Sequence, residues 1–206
     1  MLPLFISLIS LLVISILFFL FIPIIRKRNI KRKFISIYGK QIYKFAFHYD
    51  FYLINRLILQ ANDDSKISID HLLLANKYIF VINDCYLPGA ISAKEKDQSW
   101  IYYYGDPKNP KRRYIDNPLL KNIERLSKLS QITCLDAGLL ISIVLINDDC
   151  LINEYENTDD NNYLVKRKDL PRLIKNIEDR DVSPLDEEQL RYAVHDLARL
   201  NLNPHE

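Results

Sequence analysis

The sequence predicts an α/β layered domain built on a mixed sheet flanked by helices and preceded by one N-terminal transmembrane helix. Three observations carry that expectation. Leu2 to Ile25 is an almost uninterrupted apolar run without a charge, and a helix rising ~1.5 Å per residue over that length crosses the ~30 Å core of a bilayer. Beyond residue 33, short β-branched and aromatic runs alternate with longer stretches of helical periodicity, the pattern of a sheet and helices in layers. The run GLLISIVLI at 138–146 is evenly hydrophobic, as expected of a strand covered on both faces.

The apolar run reads as an anchor. A cleaved signal peptide carries its basic residues first, whereas here Arg26, Lys27, Arg28, Lys31, Arg32 and Lys33 follow the run. By the positive-inside rule that cluster stays cytoplasmic, which makes a single-pass membrane protein with its N-terminus outside and its C-terminal domain in the cytoplasm. The expected organisation is therefore an anchor at 1–25, a basic juxtamembrane segment at 26–33 suited to anionic lipid, and a cytosolic domain at 34–206. With six of the 28 basic residues in that cluster, 22 remain against all 26 acids, a net charge of −4. That balance argues against a dedicated sequence-independent nucleic-acid binder and leaves Lys108 to Arg113 as a local contact patch. Cys85, Cys134 and Cys150 show no CxxC spacing and read as reduced thiols. The four histidines have no zinc-site spacing, and four glycines form no phosphate loop.

Along the chain, Phe34 to Tyr49 has apolar residues every three or four positions around Gly39 and reads as a helix. Phe51 to Leu59 reads as a strand and Asn62 to Ser65 as a turn. Ile67 to Leu74 and Tyr78 to Ile82 form a hairpin about Ala75-Asn76-Lys77. Pro88-Gly89 breaks the second strand, and Ser92 to Ser99 is solvated. Trp100 to Tyr104 is the next strand, its aromatics expected to pack core and sheet rather than nucleic-acid bases. Gly105 to Arg113 is expected as a loop from its Pro, Gly and Asn content. Asn117-Pro118 caps and opens a helix to about Ser130 with Leu119, Leu120, Ile123, Leu126 and Leu129 on its apolar side. After the buried run, Glu154 to Asn162 is an acidic loop, Tyr163 to Val165 a short strand and Asp169 to Ile177 a helix. A last helix opens with Ser183 as cap and Pro184 at its first position, with Leu190, Ala193, Val194, Leu197 and Leu200 on one face.

Asp70 falls inside the first strand of the hairpin. A carboxylate there needs a partner, so it is either a structural hydrogen-bond acceptor or part of a site. The order of several pieces around it resembles the nuclease-related domain, or NERD, family. They are Ile69-Asp70-His71 followed by Phe80-Val81-Ile82, Gly89 with Ile91, Trp100, Asn117-Pro118 before a helix, a buried strand ending at Asn147, and Val165-Lys166-Arg167 before a final helix pair. The resemblance spans most of residues 35–200 and implies a restriction-endonuclease-like fold, in many relatives behind a membrane helix.

Such folds cleave phosphodiesters with carboxylates holding a divalent metal and a lysine stabilising charge, because Mg²⁺ takes hard anionic oxygens and activates its bound water. The family pattern places Glu-x-Lys in the second strand, and the matching positions here are Asn83 and Cys85. Asp84 should point to the opposite face. The family's helix acid falls near Lys40 or Gln41, and no carboxylate occurs from Phe34 to Tyr49. Of the expected groups Asp70 alone is present. The resemblance therefore implies a membrane-anchored pseudoenzyme without a cofactor, acting in nucleic-acid or protein binding. Two alternatives stay open. One is an active Mg²⁺- or Mn²⁺-dependent nuclease with metal at Asp70, aided by Asn83 or Asp84 and a migrated Lys94 or Lys96. The other is a scaffold for another membrane protein. A nucleophilic Cys85 lacks a His or Asp at recognisable spacing.

Overall fold

The computed structural model describes residues 38–61 and 65–203, together with the isolated positions 15 and 22. The apolar run, the basic cluster and the turn residues 62–64 lie outside the described residues. Among the described residues no helix is long and apolar enough to cross a membrane. The elements below belong to the compact unit Tyr38–Glu206.

Helix α1 covers residues 38–49. Strands β1 (Tyr52–Gln60), β2 (Lys66–Leu74) and β3 (Ile79–Cys85) follow as an antiparallel meander. Strands β4 (Ala90–Ser92), β5 (Ser99–Asp106) and β6 (Asn109–Asp116) come next, then helix α2 (Pro118–Thr133). Strands β7 (Leu140–Ile146), β8 (Leu151–Asn153) and β9 (Asn162–Lys166) precede helices α3 (Leu170–Glu178) and α4 (Glu187–Leu200). They form two mixed sheets, in the orders β1-β2-β3-β7-β9 and β6-β5-β4-β8. In the first, β3, β7 and β9 are parallel. Strand β7 is buried at every residue, as its unbroken apolar sequence requires.

Leu129 of α2 and Leu197 of α4 pack with Leu72, Leu74 and Val81 on one face of this sheet. Burying side chains of that size contributes roughly 1.5–3 kcal/mol each. On the opposite face, α1 and the start of α3 enclose a groove of about 250 Å³ lined by Tyr38, Ile42, Phe45, Leu145 and Leu170. The second sheet packs Ile91, Trp100 and Tyr102 against Leu119, Val144 and Leu164. Asn117 joins the two halves. Its Oδ1 accepts from the Leu119 N–H at 2.9 Å, capping α2. Its Nδ2 donates to the carbonyls of Glu95 and Asp97 at 2.8 and 2.7 Å, which holds the loop before β5.

Four expectations are corrected. The chain makes two sheets where one was expected, because β4 and β8 have three residues each and pair mainly through their backbones. Residues expected as the loop Gly105 to Arg113 form most of the β5–β6 hairpin. Strand β6 is exposed nearly throughout, so it carries none of the apolar alternation that marks a half-buried strand. Helix α4 starts later than Ser183-Pro184: Asp186 is its cap, with Oδ1 accepting from the Gln189 N–H at 2.8 Å. Ile123 of α2 is 39% exposed rather than packed.

Gly89 marks the start of the second sheet. It has φ of +149°, and a Cβ there would lie 2.2 Å from the Tyr103 carbonyl oxygen, a backbone atom of a paired strand that cannot step aside. Gly89→Ala should therefore cost about 2–4 kcal/mol. A urea titration followed by the fluorescence of Trp100, the one tryptophan of the chain, reads the loss as a lower midpoint.

Candidate functional site

The hairpin opens into a fork at Asp70. The β2–β3 ladder runs from Leu74–Ile79 to His71–Ile82 and stops, leaving Asp70 and Asn83 opposite one another without a backbone pair. Side chains replace the missing bonds. The Asp84 N–H donates to Asp70 Oδ2 at 2.8 Å, and the Asp70 N–H donates to Asn83 Oδ1 at 3.4 Å. On its other side Asp70 faces a second interruption: the β1–β2 register passes from Asn55–His71 to Leu57–Ile69, omitting Arg56, which has φ of +52°. Beyond the fork β3 continues against β7 as far as Cys85–Ile146.

Asn83 points to the α2 face, where its Nδ2 donates to Oδ1 of the fully buried Asn122. Asn122 Nδ2 donates to the carbonyls of Val81 at 3.0 Å and Ile143 at 3.3 Å, and lies 2.9 Å from Ser142 Oγ. Carbonyl oxygens only accept, so the amide of Asn122 has one orientation, with Oδ1 turned to residue 83. The partner at 83 must then donate. An amide does, and an ionised carboxylate does not.

Asp84 points the other way, beneath α1. Its side chain is 1% exposed, with Oδ2 3.1 Å from His71 Nε2. The other carboxyl oxygen, Oδ1, is buried without a hydrogen-bond partner. His71 Nδ1 lies 2.7 Å from Asn55 Oδ1, which places a proton on Nδ1. Nε2 and Asp84 Oδ2 then hold one further proton between them, as a neutral acid against imidazole or as an ion pair. Burial pushes the Asp84 carboxyl above its ordinary 3.8; the hydrogen bond from His71 opposes that, and the nearby Asp70 charge adds to it. Gly39 of α1 permits this packing, since a Cβ would stand 3.3 Å from His71 Cε1.

Cys85 packs at the margin of the second apolar cluster. Burial, then the neighbouring Asp84 charge, pushes its thiol up to about 11 against the lowering effect of Arg125. It is a neutral thiol at neutral pH, neither a nucleophile nor a replacement cation. Lys94 and Lys96 are exposed on the loop after β4, and Gln41 accepts from Arg167 Nη1 at 3.3 Å. Arg26, Lys27, Arg28, Lys31, Arg32 and Lys33 lie outside the described residues. Among the described residues no three His, Cys, Asp or Glu side chains converge into a metal-holding group. The donor set at the fork does not fit a divalent metal, because one Asp70 oxygen takes the Asp84 N–H and the Asn83 amide bonds to protein at both ends.

Sequence reasoning passed over Asn122, Asn55 and the His71–Asp84 pair. Asn122 had a signal: it sits three residues after Leu119 and four before Leu126, on the apolar stripe of α2, where a polar residue has to find a buried partner. The contact from His71 to Asn55 bridges two strands and has no counterpart in sequence spacing.

The nuclease-related domain family model matches residues 38–147. No curated protein matches the sequence. A crystal structure described as a protein of unknown function, AF1548, aligns with a TM-score of 0.37 at 11% identity, covering 79% of this chain and 78% of that one.

Two outcomes follow from this geometry. Asn83→Asp is nearly isosteric but sets a carboxylate against Asn122 Oδ1, and should lower stability by about 2–4 kcal/mol in urea unfolding at neutral pH. Asp84 holds its proton more tightly folded than unfolded, so its contribution to stability falls as pH rises from about 3.8 through the folded value and is constant above it. The stability difference between wild type and Asp84→Asn, measured by unfolding across pH, should fall over that window. A difference that rises instead shows that pairing with His71 outweighs burial.

Proposed function

Because the chain belongs to the nuclease-related domain family, we propose that it is a nucleic-acid-related domain of restriction-endonuclease-like ancestry that binds without cleaving. The observation supporting this reading is the closed amide network at the fork. Asn83, at the position where the family pattern has a metal-binding glutamate, is bonded to Asn122, whose orientation is fixed by two backbone carbonyls. A phosphodiesterase of this type needs two or more carboxylates on one metal and a cation beside the scissile phosphate. Here Asn83 and Cys85 supply an amide and a neutral thiol. The reading includes no resident metal and places the domain on the cytosolic side of a membrane, held by Leu2 to Ile25 with the six basic residues that follow.

The full chain, incubated with single- and double-stranded DNA and RNA in Mg²⁺ or Mn²⁺, should leave every substrate intact. Cleavage that disappears in Asp70→Asn overturns the inactive reading. Topology has its own test, since Cys134 is exposed: a membrane-impermeant maleimide should label it in intact cells only after permeabilisation.

A further inference from the structure

The β5–β6 hairpin carries chemistry that the fork does not use. Its outer part, from the Tyr103–Arg112 pair to the Asp106–Asn109 pair, extends three strand steps, ~10 Å at about 3.4 Å each. There β6 is exposed on both faces. Lys108, Lys111, Arg112 and Arg113 lie on this arm, and among the described residues none of the four has a carboxylate within ion-pair distance. The hairpin's own acids are engaged elsewhere: Asp106 accepts from the Lys108 N–H at 3.0 Å, and Asp116 lies 2.5 Å from Lys121 Nζ.

The cations occupy both faces of the ribbon. Lys111 is paired with Tyr104 and Arg113 with Tyr102, so these residues share the face that begins at the buried Trp100. Arg112, paired with Tyr103, and the 71%-exposed Tyr114 point to the other face. The guanidinium of Arg113 stands 5.3 and 5.7 Å over the rings of Tyr102 and Tyr104, which stack 5.5 Å apart, and this holds its charge in place. With Arg113 covering those rings, they offer no open platform for unpaired bases.

We propose that this arm binds duplex DNA by entering the major groove, with Lys111 and Arg113 turned to one phosphate chain and Arg112 to the other. The major groove of B-DNA, about 12 Å wide and 8.5 Å deep, admits a two-stranded ribbon. That of duplex RNA is too deep and narrow for side chains to read. A flat anionic membrane would engage one face and leave the other's cations unused. The inference rests on the nucleic-acid reading and names the surface that serves it, away from Asp70 and Asn83.

The test uses the full chain in mild detergent and fluorescence anisotropy with a labelled DNA duplex, the matching RNA duplex and a single strand, beside sedimentation with phosphatidylserine vesicles. DNA duplex should bind most tightly. The triple variant Lys108→Gln, Lys111→Gln, Arg112→Gln should bind it at least roughly tenfold more weakly and reduce the salt slope by about three, at ~0.9 per phosphate contact. Arg112→Lys should stay near wild type, and the native fluorescence of Trp100 verifies folding of each variant. If wild type and the triple variant bind DNA alike, the arm proposal falls and the nucleic-acid reading stands. Preference for single strands or RNA, or a loss confined to vesicles, also overturns the arm. If wild type binds no nucleic acid, the broader reading falls with it.

Discussion

A single buried amide sets much of this architecture. Asn122 donates to the backbone of β3 at Val81 and of β7 at Ile143, and touches the side chain of Ser142, the residue paired with Val81. It therefore pins helix α2 across two parallel strands at one level of the sheet. A buried amide left without partners costs about 1–3 kcal/mol, so sliding α2 by a turn, or β3 against β7 by a residue, meets a penalty that the surrounding leucines do not impose. Apolar contacts supply most of the cohesion, and Asn122 supplies the register.

The same amide makes the identity of residue 83 a structural matter. A metalloenzyme keeps carboxylates poised at such a fork because a cation relieves their mutual repulsion. Here the polar atoms of the fork are satisfied by the protein: Asn83 bridges the Asp70 N–H and Asn122, while Asp70 takes the Asp84 N–H in place of a ladder bond. On the opposite face Asp84 is turned to His71 beneath the close approach of Gly39. The fork keeps its shape through internal bonds on both faces, so its backbone geometry needs no bound ion to hold it open.

What the sequence revealed divides along physical lines. The hairpin at Ile67 to Ile82, the Asn117-Pro118 helix start and the buried strand ahead of Asn147 were legible because apolar periodicity and capping are local signals. The opposite orientation of Asn83 and Asp84 was legible from strand alternation alone. Strand β6 was not, since NPKRRYID owes its extension to backbone pairing with β5 and buries almost nothing. Asp186 displaced Ser183 as the cap of α4 because the Leu185 N–H is drawn to the Asn76 carbonyl at 2.7 Å, a tertiary bond that outweighs the local Ser-Pro signal. The partners of residue 83 were beyond reach for a related reason: Asn122 lies 39 positions away, and only the packing of α2 brings it near.

The charge of the domain also needs its spatial distribution to be interpreted. A net −4 over residues 34–206 argues against nucleic-acid binding only if the charge acts as a whole. At physiological ionic strength the Debye length is about 8 Å, shorter than the ~10 Å reach of the outer β5–β6 ribbon. A phosphate chain at the tip of that ribbon therefore meets Lys108, Lys111, Arg112 and Arg113 while the acids of the Glu154 to Asn162 loop and of the α4 start are screened in proportion to their distance. Acidity across the rest of the surface then limits binding to the arm and disfavours promiscuous adhesion elsewhere. A catalytic fork closed by its own amides and a projecting cationic ribbon are compatible features of one domain, because cleavage requires charges converging on a point whereas binding requires only charges spread along a line.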